Sequence, residues 1–292
     1  MDSSRTVITT DSTCDLPIGF VDEHQLPVIC FTFSMDGTDL QGDLGRTLDF
    51  RQFYGAMRGG SMPTTSQINP QELVAFFEPF LREGRDVIHI AFASKMSSTF
   101  DSVLLAKKEL EEKYPGRTIH AVDTRSASMG QGLLVRQAVL MQEEGVSDGE
   151  ILDWLERNIP YMHHWLMVDS LQHLARGGRL SGTAAMIGSL LNIKPIIRVD
   201  GEGRVLNADK AKGSKKAIEY LVERFREFAD HPEDQVIAIA HGDNLEDARY
   251  LQECILREFK VKDILFTYIG PIIGSHTGPG TVGIFFHGNQ PR

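Results

Sequence analysis

Four short apolar runs, each followed by a stretch with helical spacing, organise the first half of the chain: Thr6 to Thr10, Val28 to Phe33, Val87 to Ala93 and Thr118 to Val122. Such alternation specifies a parallel sheet with helices on its faces, because parallel neighbours need a crossover to return to the same end. Three of the runs end in hydroxyls or aspartate: Asp11-Ser12-Thr13, then Ser94 to Thr99, then Asp123-Thr124 with Ser126 and Ser128. Those positions are carboxyl ends of strands, outside which ligands bind in open parallel sheets. The same residue types are the usual helix N-caps, so capping and ligand binding are both open readings.

From about Trp165 the pattern changes to short strands at Trp165 to Val168, Pro195 to Val199, Arg204 to Ala208, Val236 to Ala240, Ile264 to Ile269 and Val282 to Phe286. Asp200-Gly201-Glu202-Gly203 between two of them reads as an antiparallel hairpin turn. Apolar residues recur at four-residue spacing in Gly213 to Phe228, and a second helix is expected over Leu245 to Phe259. The expectation is an α/β protein of two domains, 1–160 with a parallel α/β/α sheet and 161–292 with a mixed sheet of about six strands and helices. The boundary is weakly marked near Ile159-Pro160.

The 292 residues are 41% hydrophobic and 24% charged, enough for two modest cores. A formal net charge of −10 argues against binding of nucleic acid, which depends on clustered lysine and arginine. Lys210, Lys212, Lys215 and Lys216 form the one basic cluster, either a solvated face or a docking patch. Cys14, Cys30 and Cys254 are widely spaced and form no CxxC, which supports neither a disulfide framework nor a thiolate zinc site. The start carries no secretory pattern and no run approaches 18 uninterrupted apolar residues. A cytoplasmic location without a transmembrane segment is expected, leaving room for transient membrane contact.

Ile269 to Gly283 reads IGPIIGSHTGPGTVG, a single imidazole, His276, among glycines and prolines. The expectation is a held loop between two buried strands. Gly278 to Gly283 matches GxGxxG, yet only nine residues follow it, too few for a dinucleotide site with its helix and acidic ribose partner. No GxSxG, HExxH or phosphate-loop motif is present. His163 and His164 are adjacent on a strand and point to opposite faces, a poor metal pair. His276 with Ser97 or Ser66 and an aspartate leaves a self-sufficient serine or histidine hydrolase as an alternative.

Six strings in order along nearly the whole chain carry a resemblance: TTDSTCDLP at Thr9 to Pro17, TSQINP at Thr65 to Pro70, SKMSSTF at Ser94 to Phe100, DTRSASMGQGLLV at Asp123 to Val135, GGRLSGTAAMIGSLLNIKPII at Gly177 to Ile197 and IGPIIGSHTGPG at Ile269 to Gly280. Together they resemble the DegV family. The resemblance implies a two-domain α/β protein that encloses a long-chain fatty acid between its domains and presents its carboxyl group to a separate ATP-dependent fatty acid kinase. That kinase makes an acyl phosphate for phospholipid synthesis, so a lipid-binding subunit rather than an enzyme is expected, with no catalytic residue, metal or cofactor of its own. A lipid-responsive regulatory module is a further alternative.

By motif, Thr65, Ser97 and His276 are the implied carboxyl contacts, with Arg179 as the nearby cation and Ser66, Ser98 and Thr277 as supporting polar groups. Met129, Met186, Ile187 and Leu190 are candidates for the tail tunnel, and read equally well as ordinary core. The chain departs from the family pattern after Ser97, where Ser98 replaces the usual glycine and Phe100 the usual tyrosine. These changes bear on the local hydrogen-bond network and acyl preference.

Overall fold

The computed structural model describes residues 6–181 and 192–292. In its first part, strands β1 (Thr6–Asp11), β2 (Val28–Ile29), β3 (Thr32–Met35), β4 (Thr38–Gln41), β5 (Thr64–Ser66), β6 (Asp86–Ala91) and β7 (Ile119–Asp123) alternate with helices α1 (Ile18–Glu23), α2 (Phe50–Arg58), α3 (Pro70–Arg82), α4 (Thr99–Lys113), α5 (Met129–Glu143) and α6 (Asp148–Asn158). A four-stranded, wholly parallel sheet has the order β2-β1-β6-β7. The helix starts are written locally: Asn69 with Glu72, and Ser147 with Glu150, form reciprocal capping boxes on α3 and α6.

The apolar run Val28 to Phe33 does not continue as one strand. Val28–Ile29 pairs with β1, whereas Thr32–Met35 turns away into an antiparallel sheet of order β4-β3-β5. The bend at Phe31 is fixed by its backbone, since Phe31 N–H donates to Ser12 Oγ at 3.0 Å and the Phe31 carbonyl accepts from Gly42 N–H at 2.8 Å. This small sheet carries Thr65.

The second part contains β8 (Met162–Met167), α7 (Gln172–Arg176), β9 (Leu180–Ser181), β10 (Ile193–Val199), β11 (Val205–Lys212), α8 (Ser214–Phe228), β12 (Val236–His241), α9 (Leu245–Glu258), β13 (Asp263–Tyr268), α10 (Pro271–Thr277) and β14 (Val282–His287). Its strands form a mixed sheet of order β13-β12-β14-β8-β10-β11-β9, seven strands because the two-residue β9 extends the expected six. The hairpin joins β10 to β11 in antiparallel register.

Alternate residues of this sheet serve two cores. Trp165, Met167, Ile196, Ile237, Ile239, Ile284 and Phe286 pack with Leu221, Phe225 and Leu251 of α8 and α9. Leu166, Ile197, Val199, Val205 and Phe285 face the first part of the molecule. Helix α5 lies between the two sheets and touches strands of both, which explains why Met129 through Val135 are all buried.

Residues 271–277 overturn the expectation of a loop: they form helix α10. Pro271 occupies its first turn, where a missing N–H costs nothing, and Gly278 closes it at φ 81°. Gly274 in the middle is a packing requirement, because a Cβ there would collide with the Tyr54 hydroxyl. Tyr54 Oη in turn donates to the Ile269 carbonyl at 2.7 Å, fastening α10 to α2.

Candidate functional site

Between the inner face of the mixed sheet and the first part lies a cavity with about 750 Å³ of space between atoms, its mouth included. Its walls are mostly apolar: Phe31, Phe92, Leu166, Ile197, Val199 and Phe285, with Ile272 and Ile273 from α10. Strand alternation explains the contribution of the sheet, since Ile197, Leu166 and Phe285 adjoin Ile196, Trp165, Met167, Ile284 and Phe286 of the other core, and Val199 lies two residues on from Ile197 on the same face.

Polar groups also enter the lining. Thr65, Ser66, Gln67, Ser97, Arg179, His276 and Thr277 come from β5, the start of α4, the segment after α7, and α10. The described lining includes Arg179 and no Asp or Glu; Arg198 borders the cavity too, but it shares the outer face of the sheet with its cross-strand partner Trp165. An arginine facing a cavity without a carboxylate partner invites an anion. Arg179 donates through Nε to the Met96 carbonyl at 3.0 Å and through Nη1 to the Gly177 carbonyl, which leaves Nη2 without a protein partner among the described residues.

His276 Nε2 lies 2.8 Å from Thr65 Oγ1, while the buried Nδ1 has no hydrogen-bond partner among the described residues and rests against Gly177, where any Cβ would collide with it. Burial, reinforced by Arg179, Arg176 and His173, pushes the imidazole down to about pKa 4, so it is neutral near pH 7. A neutral ring has one proton. Placing it on Nδ1 would strand a buried N–H; placing it on Nε2 lets it donate to Thr65 Oγ1. The Thr65 hydroxyl proton is then free for a ligand. No carboxylate reaches Nδ1, so a Ser-His-acid relay is not assembled among the described residues.

Ser97 Oγ, one residue before the N-cap of α4, accepts from Thr99 N–H at 3.2 Å, so it both satisfies a helix-start N–H and lines the cavity. Capping and ligand binding are thus compatible readings of that segment. Ser98 is exposed and lies outside the lining, as does half-buried Phe100, so neither departure from the family pattern puts its side chain in the cavity wall. Thr277 lines the cavity, but its hydroxyl donates to the Ile273 carbonyl at 3.2 Å. Ser66 is exposed and also contributes to the lining. Met129 is buried within α5 and is not part of the lining. Met186, Ile187 and Leu190 lie outside the described residues.

The sequence places Ser128 in a polar strand-end loop without singling it out, and gives Asp15 no role. Ser128 lines the cavity at φ 51°, a strained value for a residue with a Cβ, and donates to Asp15 Oδ2 at 2.5 Å. Asp15 Oδ1 accepts from Gly270 N–H at 2.9 Å, so one carboxyl group ties the start of α5 to the start of α10. Burial pushes that carboxyl up to about pKa 7, with nearby Asp11 adding to the effect. TTDSTCDLP contains the residue, but nothing local announces a partner 255 positions away.

Fold and site together define an α/β protein with a largely apolar cavity whose polar contributions include hydrogen-bond donors and an arginine suited to an anionic head. Comparison with known proteins names the class. Residues 5–289 match the family model described as an uncharacterised protein of the DegV family, and the chain belongs to that family. It is 44% identical to the DegV domain-containing protein CPE0026 of Clostridium perfringens, over 97% of each chain. A DegV family protein from Thermus thermophilus, whose structure concerns fatty acid binding, superposes with a TM-score of 0.88 at 32% identity, covering 97% of this chain and 99% of that one. DegV of Bacillus subtilis, a fatty acid binding protein, superposes with a TM-score of 0.83 at 30% identity over the same shares.

Proposed function

We propose that this protein binds one long-chain fatty acid in the cavity and presents its carboxyl group to a separate ATP-dependent kinase for conversion to an acyl phosphate. The observation that carries the binding reading is an apolar cavity with Arg179 and no carboxylate in its described lining. Each buried methylene contributes about 0.8 kcal/mol, so a sixteen-carbon tail gains roughly ten kcal/mol before ordering costs. A bare carboxylate cannot be buried without compensation. Thr65, oriented by His276, together with Ser97 and the free nitrogen of Arg179, supplies that compensation. Fatty acid binding by the solved relatives supports the same reading.

On this reading ATP and magnesium belong to the partner, and residues 1–160 and 161–292 act as two domains closing on the lipid in the cytoplasm. The test is acyl phosphate formation by the kinase with limiting wild-type protein, His276→Ala and Ser97→Ala. Both substitutions are expected to reduce phosphorylation more than they reduce retention of the lipid. Unchanged phosphorylation in both would overturn the presentation role, and hydrolysis of an ester by the protein without a partner, abolished by Ser97→Ala, would favour a hydrolase.

A further inference from the structure

Thr99 lies at the junction of two head-group segments. It is 1% exposed, at the first position of α4, and its side chain has no contact with the cavity. Its Oγ1 accepts from Ile68 N–H at 3.1 Å, three residues beyond Thr65, and lies 2.9 Å from Ser97 Oγ. One buried hydroxyl therefore bridges the TSQINP segment and the start of α4, which carry the Thr65 and Ser97 donors.

The direction of the protons follows from the available partners. Thr99 Oγ1 uses one lone pair on Ile68 N–H, and the sole acceptor available to its own proton among the described residues is Ser97 Oγ. Were Ser97 to donate instead, the Thr99 proton would be buried without a partner, at the cost of an unmade hydrogen bond. Thr99 thus donates to Ser97 Oγ, which also accepts from Thr99 N–H at 3.2 Å. With its acceptor capacity filled, Ser97 has its proton left over, and Ser97 lines the cavity. Hydrogen bonds arranged head to tail polarise one another, so each donor in the chain strengthens the next.

We infer that Thr99 is a positioning residue: the chain Ile68 N–H to Thr99 O–H to Ser97 O–H fixes the spacing of the two hydroxyl segments and turns the Ser97 proton toward a carboxylate. This rests on the fatty-acid reading above. It also accounts for the harmless position of Ser98, because the working contact passes around it through Thr99.

The test compares delipidated wild type, Thr99→Val and Thr99→Ser for their affinity toward hexadecanoic acid and hexadecanol, and records the ¹³C shift of a carboxyl-labelled acid in each complex. Thr99→Val, equal in shape but unable to donate or accept, is expected to weaken the acid about tenfold with little change for the alcohol and to move the carboxyl resonance. Thr99→Ser is expected to restore both. Equal weakening of acid and alcohol, or an unchanged acid affinity and carboxyl shift in a folded Thr99→Val, would overturn the inference. Failure of wild type to bind the acid at all would instead overturn the fatty-acid reading.

Discussion

The two faces of the mixed sheet are built from the same strands and a similar apolar alphabet, yet they do different things. On the outer face, Trp165, Ile284 and Phe286 are matched by helices, with the Phe225 ring 4.9 Å edge-to-face from Phe286. On the inner face, Leu166, Ile197, Val199 and Phe285 are met only in part by α5, and a cavity that α10 also lines is left. Close packing maximises stability, whereas a face left short of partners trades stability for room. The difference teaches that apolar alternation reveals which residues are removed from water but not what removes them.

Substitutions on the two faces should separate these roles. The largest effect is expected from Phe225→Ala, which empties a fully buried site between α8 and the sheet and should destabilise the fold by about 3–5 kcal/mol in urea denaturation. Acid-to-alcohol selectivity should be unchanged in the protein that stays folded. A loss below about 1 kcal/mol would show that the outer face is not the stabilising one.

Next in size is the buried acid on the inner side. The folded Asp15 carboxyl keeps its proton to about pH 7, whereas in the unfolded chain it ionises near the ordinary value of 3.8. Stability from this group is therefore full below pH 4 and is lost as pH rises toward 7, because the unfolded state releases a proton that the folded state retains. Asp15→Asn does not titrate. The stability of wild type minus that of Asp15→Asn should fall by on the order of 3 kcal/mol between pH 4 and pH 8. Parallel pH profiles would remove Asp15 as the titrating clamp between α5 and α10.

A smaller effect, confined to ligand, is expected from filling the inner face. Val199→Trp should lower affinity for a sixteen-carbon acid about tenfold or more, the equivalent of roughly two lost methylenes, and should affect an eight-carbon acid less. Equal losses for both lengths would mean that the substitution disturbs the head end instead.

Much of this comparison was legible in the chain. Parallel strands, the hairpin at Asp200 to Gly203 and helices α8 and α9 follow from periodicity and turn chemistry, which are local. Helix α10 was not legible, because its glycines and prolines read as loop when seen singly. Pro271 sits where helices tolerate proline, Gly278 ends the helix, and Gly274 answers to Tyr54, a partner 220 residues earlier. The sheet that holds Thr65 escaped notice since its strands are only three or four residues long. Family strings pointed to Thr65, Ser97, Arg179 and His276, which do line one cavity, whereas Met129 was chosen on composition and packs elsewhere. Thr99 and Asp15 act through distant backbone groups that no local pattern encodes.

On the proposed reading, the underfilled inner face is a lipid site. Organic extraction of wild type and Val199→Trp, purified side by side without added lipid, with quantitation by mass spectrometry, tests it most directly. Close to one long-chain fatty acid per wild-type chain and a clear loss in the variant are expected. No fatty acid in repeated wild-type preparations, or the same amount in both proteins, would contradict it.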